Sequence, residues 1–171
     1  MRLKTPILAA ALLFASGSFL TAQALTVSSN FQVLMTITKA CTVTAGPASN
    51  INLGSAVLST AINTSGNSSI SVTCSKTTPY FIGLMPSNAS TTGAGTMAGT
   101  ISGNTDVVPY QLYSVSGSTI WGNTATSTTV GNGVAGTGTG AAQLTSVYAI
   151  AASANFTPDA YKDTVTVTVN Y

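Results

Sequence analysis

The closing segment YKDTVTVTVNY (residues 161–171) alternates between two kinds of side chain, with Asp163 as the exception. Large side chains occupy the odd positions, namely Tyr161, Val165, Val167, Val169 and Tyr171. Polar side chains occupy the even positions, namely Lys162, Thr164, Thr166, Thr168 and Asn170. Because successive side chains of a β-strand point to opposite faces, this pattern predicts a long amphipathic strand at the end of the chain.

A second alternating segment covers residues 26–38. Its odd positions are apolar except for Ser29, its even positions are polar except for Leu34, and its apolar members are Val27, Phe31, Val33, Met35 and Ile37. The pattern predicts another long amphipathic strand. Fully extended, these residues span on the order of 40 Å.

Shorter candidate strands lie between these two segments. They are rich in β-branched and aromatic residues and cover residues 41–44, 68–75, 80–85, 107–115, 118–121 and 144–151. Residues 87–95 and 131–140 are predicted to be loops, because Gly, Ser, Thr and Asn dominate them. Since no helical periodicity competes, the sequence predicts an all-β fold, an antiparallel sandwich.

The first residues have the pattern of an export signal. Arg2 and Lys4 precede an apolar stretch at residues 7–20, and Ala22-Gln23-Ala24 has the small-x-small form of a signal peptidase site. A transmembrane anchor is the alternative, but the stretch is interrupted and falls short of the roughly 20 apolar residues that a spanning helix needs. We therefore expect a signal peptide at residues 1–24 and no membrane span in the mature chain.

The mature chain, residues 25–171, has the size of one domain and no net charge. Three lysines balance three aspartates: Lys39, Lys76, Lys162, Asp106, Asp159 and Asp163. Binding to nucleic acid or to an anionic membrane needs clustered Lys or Arg, so neither partner is expected. A near-zero net charge also removes the self-repulsion that keeps monomers apart, and this favours association.

Cys41 and Cys74 are the two cysteines of a chain that is predicted to enter an oxidising compartment. We expect them to form a disulfide. A disulfide that closes a loop of the length between these two cysteines stabilises the folded state by about 3–4 kcal/mol. A redox or metal pair is disfavoured, because the spacing is not CxxC and the chain has no His. Neither a metal site nor a cofactor is therefore expected.

The sequence is poor in catalytic residues. It contains no His, so catalytic triads that use His are excluded. Its three acidic residues are all Asp, so a catalytic carboxylate pair would need Asp159 with Asp163, or either of them with Asp106. Asp159 is interpreted as a turn residue and Asp163 as a solvated strand residue. The Gly-Thr repeat at residues 136–140 is interpreted as a flexible loop, since no Lys or helix follows it. We therefore do not expect an enzyme.

The aromatic residues Tyr110, Tyr113, Trp121 and Tyr148 allow two interpretations. Their rings can stack on the apolar faces of sugars, or they can pack in the core of the sandwich. Core packing is the favoured interpretation.

Four segments together resemble the spore coat protein U domain, a family that includes the subunits of archaic chaperone–usher pili, and among these the Csu-type pilins. The segments are residues 31–37, Lys39-Ala40-Cys41-Thr42-Val43, Ile70-Ser71-Val72-Thr73-Cys74 and residues 161–171. The resemblance covers essentially the whole mature chain. Between residues 91 and 140 the sequence resembles the family only in its general character.

The resemblance implies an incomplete immunoglobulin-like sandwich that a donated strand completes. Residues 25–38 would be the N-terminal donor extension and residues 39–171 the pilin domain, whose last strand lines the acceptor groove. The contacts of that groove, with a neighbouring subunit or with a periplasmic chaperone, would be Val165, Val167, Val169 and Tyr171. Basic chaperone residues would hold the terminal carboxylate.

The expected role is therefore that of a shaft or adaptor pilin, exported through the periplasm, passed to an outer-membrane usher and displayed as a surface pilus for attachment and biofilm formation. The alternative is a self-contained secreted coat or carbohydrate-binding β-sandwich module. Such a module would keep residues 26–38 as its own strand and remain a monomer.

Overall fold

The computed structural model describes residues 23–54 and 58–171. Apart from a 3-10 turn at Pro47–Ser49, its regular elements are strands: β1 (Cys41–Thr44), β2 (Ile62–Cys74), β3 (Pro79–Pro86), β4 (Ala94–Gly99), β5 (Val107–Val115), β6 (Thr119–Ile120), β7 (Val134–Thr137), β8 (Ala142–Ser153), β9 (Tyr161–Lys162) and β10 (Val165–Asn170). All of them belong to one compact unit, Thr36–Tyr171, and the described residues before it, 23–35, belong to a second unit.

The strands form two antiparallel sheets. The larger sheet has the order β1-β2-β8-β5-β4-β9, with β6 added beside β5, and the smaller has the order β10-β3-β7. The all-β antiparallel sandwich that the alternation predicts is therefore confirmed, and its arrangement is consistent with an immunoglobulin-like fold. Among the described residues, no helix is long and apolar enough to cross a membrane. Most of the predicted signal peptide, residues 1–22, lies outside the described residues.

The core is formed by the inward faces of both sheets. Val72 and Leu112 come from the larger sheet, Ile82 and Leu84 from the smaller one, and Trp121 lies between them with no exposed surface. The indole Nε1 of Trp121 donates a hydrogen bond to the carbonyl of Ile82 at 2.9 Å. This contact satisfies the polar end of a ring that is otherwise packed against apolar side chains.

Several predicted boundaries agree with the structure. The strands predicted at 41–44 and 107–115 coincide with β1 and β5. The strand predicted at 68–75 is longer, because β2 begins at Ile62 and pairs with β8 over nearly its whole length.

The loop predicted at 131–140 is wrong, because it contains β7, and β4 begins within the loop predicted at 87–95. In both strands a glycine lies directly across from a tyrosine. Gly136 pairs with Tyr80 and Gly95 with Tyr110, and a Cβ on either glycine would collide with the opposing ring. These glycines therefore make room for aromatic side chains within a ladder, and do not form turns.

The closing segment 161–171 is not one continuous strand. Tyr161–Lys162 pairs with β4 in the larger sheet, whereas Val165–Asn170 pairs with β3 in the smaller one. The chain changes sheets at Asp163–Thr164, where the Asp163 carboxylate accepts a hydrogen bond from the Thr164 amide at 2.7 Å. Asp163 is thus a corner residue, and its interpretation as a solvated strand residue is wrong.

The strand predicted at 26–38 is absent from the chain taken alone. Residues 23–40 form neither strand nor helix, and their side chains are exposed. The predicted period is present in the sequence, but among the described residues this segment pairs with no strand.

Candidate functional site: an open groove beside the last strand

Among the described residues, β10 is an edge strand with one unpaired side. It is hydrogen-bonded to β3 over its whole length and ends the smaller sheet. β1 ends the larger sheet, and β1 and β10 approach each other. An edge strand of this kind presents a row of free amide and carbonyl groups, which makes it a template for another strand.

The register of β10 fixes which of its faces points inward. Val165, Val167 and Val169 pair with Pro86, Leu84 and Ile82, which are all buried. Directly opposed residues of antiparallel strands share one face of the sheet, so the three valines face the core. They remain partly exposed, whereas Thr166 of the opposite parity is fully on the outer side. Tyr171 lies beyond the last paired residue and is 49% exposed.

A groove of about 520 Å³ opens beside Val165 and Val167. Its floor is apolar and comes from the inward faces of both sheets, namely Ile70, Leu84, Leu112, Val147 and Ala149. The opposite wall is the connection between β1 and β2, which contributes Ile51 and Leu53. The groove thus opens between β10 and this connection, above core side chains that are themselves buried.

The groove continues into a second cleft of about 800 Å³. The two share five lining residues: Asn50, Ile51, Leu53, Met97 and Tyr161. The second cleft adds Val108, Ala151 and Phe156 to the apolar surface. Together the two openings form one long apolar channel on the inner face of the larger sheet.

A hydrogen-bonded pair of polar side chains lies among the residues that line this channel. The buried Tyr110 hydroxyl donates a hydrogen bond to Asp163 Oδ2 at 2.7 Å, and both residues line the groove. Burial, together with this hydrogen bond, raises the pKa of Tyr110 well above its usual range, so the phenol stays protonated. The pair anchors the corner between β9 and β10 to β5.

The other two aspartates are hydrogen-bonded within loops. Burial alone would raise the pKa of Asp159, but hydrogen bonds from Asn104, Ile101 and Thr100 outweigh it and lower the pKa from 3.8 to about 2. The backbone amide and the hydroxyl of Thr157 likewise lower the pKa of Asp106. Among the described residues, no three acidic, Cys or His side chains are grouped so that they could hold a metal ion.

Cys41 and Cys74 form a disulfide between directly paired residues of β1 and β2. The ladder continues one residue further, because the Ser75 amide donates to the Ala40 carbonyl at 2.9 Å. The Ser75 hydroxyl also accepts a hydrogen bond from the Ala40 amide at 3.1 Å and donates to the Thr38 carbonyl at 3.3 Å. The structure thus pairs the two cysteines as their count predicts.

The apolar side chains predicted to form the donor strand are among the most exposed of the chain. Their exposed fractions are 97% for Val27, 88% for Phe31, 87% for Val33, 82% for Met35 and 78% for Ile37. Water contact on this scale is unfavourable for apolar side chains, and a contiguous apolar segment of this kind marks an interaction site.

The family model of the Spore Coat Protein U domain matches residues 27–168 of this chain. The chain belongs to the Spore Coat Protein U domain family. The match includes the exposed segment, both cysteines and most of β10. A comparison with curated protein sequences gave no significant match.

Solved structures similar to this Spore Coat Protein U domain chain include the pre-assembly complex of the chaperone CsuC with the tip adhesion subunit CsuE, from the archaic chaperone-usher Csu pili of Acinetobacter baumannii. The TM-score is 0.51 at 20% identity, over 80% of this chain and 40% of that chain. A chaperone-tip adhesin complex of CFA/I fimbriae biogenesis has a TM-score of 0.47 at 11% identity, over 76% of this chain and 41% of that chain. The chain therefore spans about two fifths of the length of each matched chain.

Sequence reasoning on this Spore Coat Protein U domain missed part of the groove. The wall at residues 45–54, Met97 and Phe156 were not predicted to contribute. The one available signal was the alternation Asn50-Ile51-Asn52-Leu53, which is too short to specify a face. Of the four aromatic residues, Trp121 and Tyr110 are core residues as favoured, while Tyr113 and Tyr148 pair across β5 and β8 and are partly buried.

Proposed function

We propose that this chain is a structural subunit of a chaperone–usher pilus, in a shaft or adaptor position, and that it polymerises by donor-strand complementation. Residues 26–38 of one copy would insert beside β10 of the next copy and cover the groove. The observation that carries this proposal is that, among the described residues, the edge of β10 is unpaired and lies next to an open groove lined mainly by apolar side chains. The same chain carries residues 26–38, which are exposed and alternate between apolar and polar side chains as a strand does. In strand addition, main-chain hydrogen bonds supply affinity and alternate side chains that enter pockets supply specificity.

The two partners match in chemistry. Val27, Phe31, Val33, Met35 and Ile37 present one apolar face, and the groove is lined mainly by apolar side chains. At roughly 1.5–3 kcal/mol for each buried side chain, five of them give about 8–15 kcal/mol before ordering costs are subtracted. A contact between subunits with a binding free energy of this order would dissociate very slowly, as a surface filament requires.

A subunit whose groove is empty needs a temporary partner. Its free strand edge and apolar channel are an aggregation hazard. We infer that a periplasmic chaperone contacts Val165, Val167 and Val169 until assembly, and that an outer-membrane usher then adds the subunit to a pilus on the cell surface. The matched Csu structure, a chaperone bound to a subunit, supports this kind of partner. Surface attachment and biofilm formation are the expected roles of the filament.

A deletion tests the proposal. A chain that lacks residues 25–32 should still be captured by its chaperone and accept a donor strand, but it should be unable to donate one. Phe31→Asp should have the same effect, because a charge in a dry apolar pocket costs several kcal/mol, whereas Gln32→Ala on the opposite parity should be tolerated. Polymer length measured by gel electrophoresis and electron microscopy reports the result.

Normal polymers from the deleted chain, or equal behaviour of Phe31→Asp and Gln32→Ala, would contradict strand donation. The self-contained secreted coat or carbohydrate-binding module would then be the better interpretation.

A further inference from the structure

The charged side chains of the compact unit are divided between the two ends of its larger sheet. β2 and β8 pair from Thr73 with Ala142 at one end to Ile62 with Ser153 at the other. The 13 residues of β2 span roughly 40 Å. Side chains at opposite ends of this ladder are therefore too far apart to touch within one chain.

Lys39 and Lys76 lie at the Cys74 end of β2. The Ser75 hydroxyl donates to the Thr38 carbonyl at 3.3 Å, and it accepts from the Ala40 amide at 3.1 Å. Lys39 lies between these two contacts in sequence, Lys76 follows Ser75, and both lysines are exposed. This basic end, Lys39 with Lys76, therefore flanks the point at which residues 26–38 leave the compact unit.

Asp106, Asp159 and Asp163 lie toward the opposite end. Asp106 precedes β5 and is hydrogen-bonded to Thr157, Asp159 follows β8, and Asp163 is the corner residue between β9 and β10. Within residues 23–54 and 58–171, Lys162 is the one lysine on this side. The acidic end, which comprises the three aspartates, thus has an excess of two negative side-chain charges.

The channel proposed to receive the donor strand opens at the acidic end. Asp163 lines the groove and Asp159 lines the second cleft. β10 also begins there, because Val165 pairs with Pro86, the residue of β3 farthest from the turn between β2 and β3. All pairs of described strands are antiparallel. A donor strand that pairs with β10 in the same way would end at the acidic end.

We propose that the basic end of one copy, Lys39 and Lys76, docks on the acidic end of the copy that accepts its donor strand. The inference rests on the proposed function and adds a second contact surface to each joint. Lys39 is two residues beyond Ile37, so it lies within about 7 Å of the last apolar donor residue. Insertion parallel to β10 would instead bring two basic ends together, which like-charge repulsion disfavours.

Two of the three aspartates have free acceptor positions. Both bonds from Thr157 go to Oδ2 of Asp106, so among the described residues its Oδ1 accepts none. Each oxygen of Asp163 accepts one bond, and a carboxylate oxygen can accept two. Asp159 already accepts four bonds from Thr100, Ile101, Asn104 and the Ala160 amide. Asp106 and Asp163 are therefore the direct partners of the lysines, and Asp159 contributes its charge.

Zero-length cross-linking of polymers assembled from the full chain tests this contact. A water-soluble carbodiimide activates a carboxylate, and a touching lysine amine displaces it to form an amide, while the carboxylate oxygen leaves in the urea by-product. Because the two ends lie roughly 40 Å apart in one chain, a bond from Lys39 or Lys76 to Asp106 or Asp163 joins two copies. Mass spectrometry of digested polymers should identify such bonds. The variant Lys39→Arg with Lys76→Arg keeps the charges, so it should assemble normally but form none of these bonds.

Assembly rates supply a matched comparison. Lys39→Gln and Lys162→Gln each remove one positive charge, but from opposite ends. In about 0.01 M salt, Lys39→Gln should slow polymer formation about threefold, and adding Lys76→Gln should extend the effect to about tenfold. Lys162→Gln should speed it, since the acidic end becomes more negative. These differences should nearly disappear in about 1 M salt, where the screening length is about 3 Å.

Two outcomes would overturn the inference. If the unsubstituted chain forms no polymers, the proposed function fails and this contact fails with it. If polymers form but contain no bond from Lys39 or Lys76 to the acidic end, or if Lys39→Gln and Lys162→Gln change the assembly rate equally, the contact alone is wrong and strand donation stands.

Discussion

Asp163 shows how a single side chain can divide one alternating pattern into two strands. It takes the position where the alternation calls for an apolar residue, its Oδ1 accepts from Thr164 and its Oδ2 accepts from Tyr110. These contacts hold the corner at which the chain leaves the larger sheet after β9 and enters the smaller sheet as β10. The exception in the pattern was visible in the sequence, but the Tyr110 hydroxyl that makes it a corner is distant in sequence.

Asp159 gives a prediction about acid stability. Its pKa is lowered from 3.8 to about 2, so the folded state favours the ionised carboxylate. The stabilisation that it contributes is complete above about pH 4 and is lost as the pH falls toward 2. Asp159→Asn should reduce the loss of stability between pH 4 and pH 2, measured by chemical unfolding at each pH. An identical pH profile for the variant and the unsubstituted protein would contradict this assignment.

Val167 and Thr166 are adjacent in sequence but lie on opposite faces of β10. Val167→Asp should abolish capture by the chaperone, because it places a charge against Leu84 in the groove. Thr166→Asp should be mild, since this side chain is exposed. The measurement is the amount of each variant that co-purifies with the chaperone. Equal amounts would show that the face assigned to the groove is wrong.

At the level of elements, composition predicted strands rich in β-branched and aromatic residues and missed β4 and β7, whose glycines lie across from tyrosine rings. β5 was bounded correctly because Val107, Tyr110 and Leu112 lie in a region rich in strand-forming residues. β7 was not predicted, because the strand contains Gly136, and its fit depends on the ring of Tyr80 across the ladder. Such pairing is a tertiary property that single-segment composition does not encode.

The junction of β1 and β2 gives a prediction at this scale. Replacing both cysteines by Ala should reduce the free energy of unfolding by about 2–5 kcal/mol and lower the amount of subunit that survives in the periplasm. Thr42→Ala, at an exposed β1 position between Cys41 and Val43, is a control that should have little effect. Titration of the unreduced, denatured protein should find no free thiol, and two reactive thiols would show that the bridge does not form.

The groove itself was predictable in part. The inward parity of Val165, Val167 and Val169 follows from the alternation alone, and the structure places all three on the core side. The opposite wall at residues 45–54 was not predictable, because its position depends on close packing against Gly66 of β2.

For the whole molecule, the central claim is that residues 26–38 complete the sandwich from outside. Each chain then carries both a donor strand and an acceptor groove, and the strand of one copy fills the groove of another. Moving residues 26–38 behind Tyr171 through a short flexible linker makes the insertion intramolecular, at a millimolar-scale effective concentration. The rearranged chain should then bury its donor strand in its own groove.

The most direct measurement compares this rearranged chain with the unmodified one by gel filtration and thermal unfolding. Strand donation predicts a soluble monomer with a clearly higher melting temperature, because the apolar groove and the free edge of β10 become covered. A rearranged chain that still associates, or that melts at the temperature of the unmodified chain, would contradict it.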